Sequence, residues 1–422
     1  MIGDSMDIAI VGAGAAGLFA AFHASEHSSN KVVIYEKNDI AGKKLRLTGN
    51  GRLNFSNEDL SMVHYEHSYG MVDPDFLHSL ILEDDCKLID SVIGEDGNVI
   101  FAQFLNSIGV RTTKIGELYY PFSERAGETT EMIISALERK GVEFVFGKDI
   151  REISNSDGKF IVDGKAYDRL ILATGGKAYP KTGSDGGGYK LARAFGHTVS
   201  YTYPVLVGLT VLKEIGDALA GVRVKGTVSG YVDGELVSEA KGEIQFTENT
   251  ISGICVYQLS RRLTKPIEEG KSVEISCDFL DDISLDELSD YIAKRNENLG
   301  DLPLGDYVRG ILPDKLNYCI LSRLSKDEEF ASADFETKKR LYFAQIKAFR
   351  VTVMGHEGYD HAQCTRGGVA LSEISDNMES KLCPGLFFAG EMVDVDGDCG
   401  GYNLQWAFSS GKVAGSSAGE NA

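Results

Sequence analysis

The sequence predicts an α/β protein whose nucleotide-binding domain is formed by both ends of the chain and interrupted by a second unit. Three observations support this prediction. The first 36 residues have a strand–turn–helix–strand pattern, and a strand ending in a small-residue turn recurs near residue 385. Between them, short alternating segments give way to helical periodicity. The 422 residues are enough for two or three domains.

The amino-terminal unit has three predicted elements. Asp7–Val11 is a short apolar run typical of a buried strand, and a helical stretch follows from about Ala15 to His27. Lys31–Tyr35 is a β-branched run that predicts a second strand and ends at Glu36.

The turn between the first strand and the helix carries the dinucleotide fingerprint of a Rossmann unit. Gly12 permits the tight turn, Gly14 allows a pyrophosphate to approach the backbone, and Gly17 permits close packing of helix on strand. The N–H groups at the helix start attract the diphosphate. Glu36 is placed to accept hydrogen bonds from the ribose hydroxyls, and its charge disfavours a ligand carrying a 2′-phosphate.

The composition changes predict the domain boundaries. We expect residues 1–197 and 351–422 to form the nucleotide-binding domain. Residues 198–283 have alternating segments such as Val222–Val228 and predict an antiparallel β unit. Residues 284–350 are polar with helical periodicity and predict a helical subdomain. The insertion has the usual size of a second domain.

The glycine fingerprint does not separate FAD from NAD, but two other segments favour FAD. Arg169–Gly176 is a strand that leads a small-residue turn back toward the nucleotide. Gly385–Glu391 is a strand–glycine–acid element, and it is followed by Asp396-Gly397 and by the pair Gly400-Gly401 at the start of a helix.

The second helix start suits a flavin for a chemical reason. Reduced flavin gathers negative charge at N1 and the C2 carbonyl, and the N–H groups of a helix start opened by two glycines stabilise such charge. Glu391 is placed to accept hydrogen bonds from the ribityl hydroxyls. The sequence therefore predicts a noncovalent FAD used for redox chemistry.

The net charge of the chain limits the kinds of molecule that it is expected to bind. The formal net charge is −20, and no run of five or more Lys and Arg occurs in the sequence. A polyanion or an anionic membrane surface would be repelled. We therefore expect a small-molecule substrate, no nucleic acid and no membrane.

The cysteines and the amino-terminal apolar stretch favour a cytoplasmic protein. The 7 cysteines are an odd number without a C-x-x-C pair, which fits reduced thiols and argues against a disulfide reductase. The stretch Ile8–Phe22 is interrupted by three glycines and is preceded by Asp4 and Asp7. It is therefore not expected to be a signal sequence or a membrane span.

Several blocks resemble the aminoacetone oxidase family of bacterial FAD-binding enzymes, and the resemblance extends over nearly the full chain. The blocks are Gly42–Asn54, Ala173–Gly183, Asp185–Tyr189, Thr365–Val369 and Met378–Gln405. The resemblance implies a Rossmann-like FAD-binding domain of glutathione-reductase type with an inserted antiparallel β-barrel and a small helical subdomain. In one departure, Leu53 replaces the family's cysteine, and we expect it to be packed.

The resemblance also implies where FAD is held. The adenosine and diphosphate are expected along the first glycine turn, Glu36 and Lys37, with the backbone of Ile150 at the adenine. Lys44 is expected to be a diphosphate counter-ion, unless it is a solvated surface lysine. The complete predicted cofactor-binding set is Gly12, Ala13, Gly14, Ala15, Ala16, Glu36, Lys37, Lys44, Gly49, Asn50, Gly51, Asn54, Ile150, Ala173, Thr174, Gly175, Gly176, Gly390, Glu391, Asp396, Gly400, Gly401, Tyr402, Asn403 and Leu404.

A few other polar residues are candidates for a role in chemistry. His356, His361 and Cys364 are close in sequence but match no standard zinc spacing, so no metal is expected. We expect His361 and Cys364 to lie on one strand. Arg52 and Arg366 lie beside glycines in motif blocks and suit either an anionic substrate group or a structural ion pair.

Three functions are consistent with the sequence. The first is an oxidase or dehydrogenase that passes a hydride to flavin N5, with an amine or aminoketone as the substrate implied by the resemblance. The second is a reductase of activated C=C bonds that uses NAD(P)H as a transient electron donor, because no second complete fingerprint predicts a nicotinamide domain. The third is a non-catalytic flavin-binding module. The sequence does not specify the catalytic residues, the electron acceptor or the oligomeric state.

Overall fold

The computed structural model describes residues 5–27, 29–68, 81–299, 303–306 and 309–420. The chain forms two compact units, Met1–Pro204 with Gln363–Ala422, and Val205–Ala362. The predicted boundary between residues 350 and 351 falls inside a strand, Phe349–His356. That strand pairs with two other strands of the second unit, so the second unit extends to residue 362.

The strands are short in the first unit and longer in the second. In chain order they are β1 Asp7–Val11, β2 Lys31–Tyr35, β3 Ser56–Asn57, β4 Tyr65–Glu66, β5 Thr112–Ile115, β6 Leu118–Pro121, β7 Glu143–Val145, β8 Ser154–Ser156, β9 Lys159–Val162, β10 Lys165–Tyr167, β11 Arg169–Leu172, β12 Tyr203–Val205, β13 Leu209–Val211, β14 Arg223–Val232, β15 Glu235–Phe246, β16 Thr250–Ser252, β17 Val273–Asp278, β18 Phe349–His356, β19 Cys364–Arg366, β20 Leu386–Phe388 and β21 Asp396–Gly397.

The helices include one short left-handed turn, which carries the label α2. In chain order they are α1 Ala15–Ala24, α2 Thr48–Gly51, α3 Ile81–Ile93, α4 Gly97–Ser107, α5 Ala126–Arg139, α6 Gly188–Ala194, α7 Lys213–Leu219, α8 Ile254–Glu268, α9 Leu285–Leu299, α10 Asp314–Leu324, α11 Glu328–Ser332, α12 Phe335–Lys347 and α13 Tyr402–Gly419.

A parallel sheet forms the centre of the first unit. Its strand order is β20-β11-β1-β2-β7, and the neighbouring strands are parallel throughout. β1, β11 and β20 are almost entirely buried, which explains why their sequences are continuous apolar runs rather than alternating ones. This sheet confirms the predicted Rossmann-like architecture.

Helices α1 and α13 pack at backbone distance. A Cβ added to Gly411 would lie 2.5 Å from the carbonyl oxygen of Ala16, and one added to Gly415 would lie 2.2 Å from that of Ala20. Both distances are shorter than any real Cβ contact. The four-residue spacing of small residues on both helices therefore fixes how closely and in what register they pack.

The second unit confirms the predicted antiparallel barrel. The barrel is closed in the order β13-β16-β15-β14-β17-β18, and β18 pairs back to β13. Its longest hairpin joins β14 to β15 through Asp233-Gly234, both with positive φ, as the two-residue turn requires. Leu259 and Leu263 of α8 pack against Gly230 of the barrel wall. Helices α9 to α12 lie in the predicted helical segment.

Within the part of the chain that the structure describes, no helix is both long enough and apolar enough to cross a bilayer.

The close packing of α1 and α13 generates a stability prediction. Gly415→Ala forces the two helices apart, and we expect it to destabilise the apoprotein by about 1–3 kcal/mol, the usual cost of overpacking. Gly127→Ala is the matched control, because a Cβ at that helical position has no described atom within 4 Å apart from its chain neighbours and the backbone of its own helix. Urea unfolding of both apoproteins measures the difference. Equal stability of the two variants would contradict the packing described here.

Candidate functional site

The start of α1 is shaped by its three glycines, each for a different reason. Gly12 has a φ of +106°, and a Cβ there would lie 2.4 Å from the carbonyl oxygen of Ala173. A Cβ on Gly17 would lie 1.9 Å from the Gly12 carbonyl oxygen. By contrast, no described atom comes within 4 Å of the Cβ position of Gly14. The first and third glycines are therefore packing requirements, while the second leaves open space over the helix start.

This open space is what a dinucleotide diphosphate needs. Gly14 is the N-cap of α1, so no side chain covers the N–H groups of the first turn, which includes Ala15 and Ala16. N–H groups at a helix start that its N-cap side chain does not bind, together with the helix dipole, attract an anion. The residues at this turn therefore fit the diphosphate of FAD.

Glu36 closes the loop beside this turn. Its Oε2 accepts a hydrogen bond from the Ala13 N–H at 2.9 Å, and its Oε1 accepts from the backbone and side chain of Asn38 at 2.8 and 2.7 Å. Oε1 thus already accepts two hydrogen bonds, whereas Oε2 accepts one and retains a lone pair for a ribose hydroxyl. The adjacent Lys37 is ion-paired with Asp185 at 2.9 Å. Ile150 lies partly buried against the apolar core of the first unit.

The turn after β11 lies directly against the α1 turn. The Ala173 N–H donates to the Val11 carbonyl at 2.9 Å, which continues the strand pairing up to Gly12. Thr174 lies so close to Gly188 that a Cβ there would be 1.9 Å from its hydroxyl oxygen. Gly175 has a φ of +73°. The predicted small-residue turn is therefore brought to the predicted diphosphate position.

Four residues from distant parts of the sequence meet at one point: Gly176, Glu391, Lys44 and Thr365. Lys44 Nζ lies 2.7 Å from Glu391 Oε2, and the Thr365 N–H donates to Glu391 Oε1 at 2.9 Å. A Cβ on Gly176 would lie 2.9 Å from Glu391 Oε1. Lys44 is therefore not a freely solvated lysine. The ion pair places its cation beside the carboxylate that was predicted to face the ribityl chain.

The segment around α2 is a left-handed turn rather than an α-helix. Gly49, Asn50 and Gly51 have φ values of 57°, 56° and 81°. A Cβ on Gly49 would lie 2.5 Å from Asn54 Oδ1. A left-handed non-glycine residue such as Asn50 costs free energy, and such residues concentrate at ligand sites. Leu53, which replaces the family's cysteine, is fully buried.

The start of α13 is the second helix start with a glycine N-cap. Gly400 and Gly401 have φ values of +129° and +97°, and Gly401 is the N-cap. The side chain of Asn403 accepts from the Gly397 N–H at 2.9 Å and donates to the Gly397 carbonyl at 2.8 Å. Asn403 therefore fixes the preceding loop. Tyr402 is buried, and Leu404 is partly buried against the core.

Asp396 belongs to a buried ion-pair cluster. Its Oδ1 and Oδ2 accept from Arg366 at 2.7 and 3.0 Å, and Arg366 also donates to Glu66 Oε2 at 2.6 Å. The side chains of Arg366 and Asp396 are 3% and 0% exposed. Arg366 was predicted either to bind an anionic substrate group or to form a structural ion pair. The structure has the ion pair, in which the Asp396 carboxylate faces Arg366.

Arg52 is also ion-paired. It contacts Glu124 and lies over the ring of Tyr120 at 4.8 Å from the centroid. Unlike Arg366, it is substantially exposed, with 45% of its side chain accessible.

Residues 56–68, which we call the clamp segment, were not singled out from the sequence. They run along residues 394–405 and hold them through β4–β21 pairing and side-chain bonds. The side-chain bonds are Ser56 Oγ to Gln405 Oε1 (2.6 Å), Asn57 Nδ2 to the Gly400 carbonyl (3.1 Å) and the Ser68 N–H to Asp394 Oδ1 (3.0 Å). A further backbone bond runs from the Asp398 N–H to the His64 carbonyl (2.9 Å). The one sequence signal for this contact with residues 394–405 is that the clamp segment is mostly polar.

The prediction that His361 and Cys364 lie on one strand is wrong for His361. His361 lies in a turn, and β19 begins at Cys364, whose thiol lies 3.0 Å from Asn403 Oδ1. Over the described residues there is no cluster of three or more His, Cys, Asp or Glu side chains able to hold a metal ion.

The contrast between Gly14 and Gly12 predicts separate effects on cofactor and fold. Gly14→Val fills the open space, and we expect it to abolish FAD retention while changing apoprotein stability little. Gly12→Ala introduces a clash and an unfavourable positive φ, and we expect it to destabilise the apoprotein by about 1–3 kcal/mol. FAD absorbance after purification and thermal unfolding measure the two effects. Full FAD content in Gly14→Val would refute the diphosphate site.

Arg366 generates a second prediction. Arg366→Met leaves two carboxylates without their cation, and we expect a loss of about 3–5 kcal/mol in stability. Arg52→Met is the matched control, because its ion pair is exposed and such pairs contribute little. Denaturant unfolding compares the two variants. A similar small effect for both would show that the buried cluster is not structural.

The comparisons with known proteins agree on the family. The model of the HI0933-like protein Rossmann domain matches residues 6–417. The 3-dehydro-bile acid delta(4,6)-reductase of Clostridium scindens is 36% identical, over 98% of this chain and 99% of that protein. The ribosomal RNA dihydrouridine synthase of Escherichia coli is 28% identical, over 96% of each chain.

Among solved structures, the 3-ketosteroid-delta4-(5alpha)-dehydrogenase from Rhodococcus jostii RHA1 is similar at 16% identity and a TM-score of 0.49, over 99% of this chain and 97% of that chain. This similarity is too low to carry a functional inference. The match over residues 6–417 shows that this chain belongs to the HI0933-like family of FAD-binding Rossmann proteins and is an FAD-dependent oxidoreductase.

Proposed function

We propose that this enzyme reduces a carbon–carbon double bond conjugated to a carbonyl group in a small organic substrate, with NAD(P)H as the electron donor. The observation that carries the proposal is the 36% identity, along almost the whole length of both chains, to a 3-dehydro-bile acid delta(4,6)-reductase. That name describes double bonds at positions 4 and 6 of a 3-oxo compound, which are conjugated to the carbonyl.

The second relative supports the same bond class. Dihydrouridine is uridine whose 5,6 double bond, conjugated to a ring carbonyl, has been saturated. The two relatives therefore share the type of bond reduced, although their substrates differ in size and charge. A net charge of −20 opposes binding of an RNA, so we propose a small-molecule substrate for this chain.

The reaction balances as a hydride and a proton added to the double bond. Conjugation allows the β-carbon to take the hydride and the α-carbon to take the proton, while NAD(P)H is oxidised to NAD(P)⁺. When bound, FAD supplies a centre that takes a hydride from one partner and gives it to the other. No second nicotinamide fingerprint occurs in the sequence, so we propose that NAD(P)H docks transiently.

The residues of the first unit have separate tasks in this proposal. The open start of α1 binds the diphosphate, and Glu36 accepts hydrogen bonds from the ribose. Lys44 and Glu391 position the ribityl and phosphate portion. The start of α13 stabilises negative charge at the electron-rich edge of the ring. We further propose that the enzyme works in the reducing cytoplasm, because its seven cysteines are an odd number without a C-x-x-C pair.

The alternative is the amine or aminoketone oxidase implied by the resemblance to the aminoacetone oxidase family. The motif blocks Gly42–Asn54 and Met378–Gln405 favour it, because they are the residues on which that resemblance depends. In this alternative the hydride moves from the substrate, and oxygen or another acceptor removes the electrons.

Anaerobic stopped-flow spectroscopy distinguishes the two directions. We expect NADH or NADPH to bleach the flavin and a 3-oxo-4,6-diene bile acid to restore its absorbance, with the saturated product identified by mass spectrometry. Aminoacetone and unmodified ribosomal RNA serve as the competing substrates, and Gly14→Val as the cofactor-free control. Bleaching by aminoacetone alone, with peroxide formed on admitting oxygen, would refute the reductase.

A further inference from the structure

His64 lies in the clamp segment with an acid on each side. Its Nδ1 is 2.8 Å from Asp398 Oδ2, and its Nε2 is 3.2 Å from Asp59 Oδ2. The imidazole also stacks on the ring of Tyr402, with centroids 4.4 Å apart and planes 23° from parallel. His64 therefore links the clamp segment both to the loop before α13 and to the first residue of that helix.

The number of donors identifies the form of His64 that fits this arrangement. A neutral imidazole has one N–H donor, whereas the protonated ring has two. Both ring nitrogens face carboxylate oxygens, so only the protonated ring satisfies both contacts. A cation is also favoured over the face of a tyrosine ring.

Two of the groups that face His64, Asp59 and Tyr402, keep one charge state near neutral pH. The Ser61 backbone N–H, the Ser61 side chain and His64 together lower the pKa of Asp59 to about 2, so Asp59 is ionised. Burial first, and then the charges of Asp59, Asp398 and Glu117, raise the pKa of Tyr402, so its phenol is neutral. Among these groups, histidine is the type that changes charge between about pH 5 and 8.

The contacts of His64 with Asp398 and Tyr402 affect the position of the α13 start. The Asp398 N–H donates to the His64 carbonyl, and Gly397 pairs with Tyr65 in the β4–β21 ladder. The loop that leads into α13 is therefore held by the clamp segment on its backbone and by His64 on its side chains.

We propose that His64 is a positioning residue for FAD, whose protonated ring holds Asp398 and Tyr402 and thereby fixes the α13 start against the flavin. This inference rests on the proposed role of the α13 start in holding the flavin. Deprotonation leaves one N–H for two carboxylates, so one contact is lost and the loop is held less firmly. FAD affinity is therefore highest where His64 is protonated and falls as the pH rises.

The test is the FAD dissociation constant of wild type and His64→Gln between pH 6 and 8.5, from titration of the apoprotein with FAD alone. We expect wild type to lose about tenfold in affinity over this range, as a charge-assisted bond predicts. His64→Gln is expected to be weak and nearly independent of pH. His356→Gln is the matched control, because this histidine also faces a carboxylate, Glu268 at 3.3 Å, but lies in the second unit.

Two further measurements keep the test decisive. Side-chain ¹⁵N spectra of the holoenzyme at pH 6 are expected to have both nitrogens of His64 protonated. Asp59→Asn removes only an exposed partner and is expected to flatten the pH profile even if His64→Gln does not fold. Parallel profiles for wild type, His64→Gln and Asp59→Asn would overturn the inference.

The assay contains no substrate and no nicotinamide, so it does not depend on the reaction. If the wild-type protein binds FAD but its pH profile does not differ from those of the two variants, only the role of His64 is overturned. A wild-type protein that binds no FAD at any pH overturns the proposed cofactor site as well.

Discussion

Backbone contact without room for a Cβ is the constraint on which the first unit depends. The Gly12 turn lies against the carbonyl of Ala173, and Gly17 lies against the carbonyl of Gly12. Gly411 and Gly415 bring α13 equally close to α1. These contacts join β1, β11 and the two helices into one rigid arrangement, since protein interiors at this density do not absorb even a methyl group without strain.

Two helices of the first unit, α1 and α13, begin at a glycine N-cap. At α1, the N-cap Gly14 has no side chain and leaves open space at its Cβ position, whereas at α13 the N-cap Gly401 also has no side chain but packs against the backbone of Ser56. Helix starts attract anionic and electron-rich groups, so a dinucleotide flavin has a partner for each of its ends. We therefore propose that a helix start with a glycine N-cap serves both the diphosphate and the flavin ring.

Charged side chains hold the loops around these helix starts. The buried Arg366 with Asp396 and Glu66 fixes β4 against β21, while Lys44 and Glu391 join the segment after β2 to the segment after β20. Breaking a buried cluster exposes uncompensated charge to an apolar interior, so such clusters fix geometry more than they add stability.

Local features were predictable from the sequence. The first strand, the glycine turn and the second strand depend on neighbouring residues, and the structure has each of them. The clamp segment depends on contacts between residues more than 300 positions apart, such as Asn57 with Gly400. No local pattern encodes these contacts, and the same limit explains why the unit boundary was predicted inside β18.

Sequence also left the partner of Arg366 open, because an arginine beside glycines suits a substrate and an ion pair equally. The distinction came from burial and from two carboxylates supplied by distant segments. The predicted cofactor residues all lie on the first unit, and they include residues at the starts of both α1 and α13. That arrangement is why a single FAD is proposed to contact both.

A crystal structure of the holoenzyme tests this account most directly. It predicts that the diphosphate oxygens lie within hydrogen-bond distance of the N–H groups at residues 14–16, and that the N1 and C2 edge of the flavin faces the start of α13 at residues 401–403. A flavin ring that is bound elsewhere, with the α13 start in contact with protein alone, would contradict it.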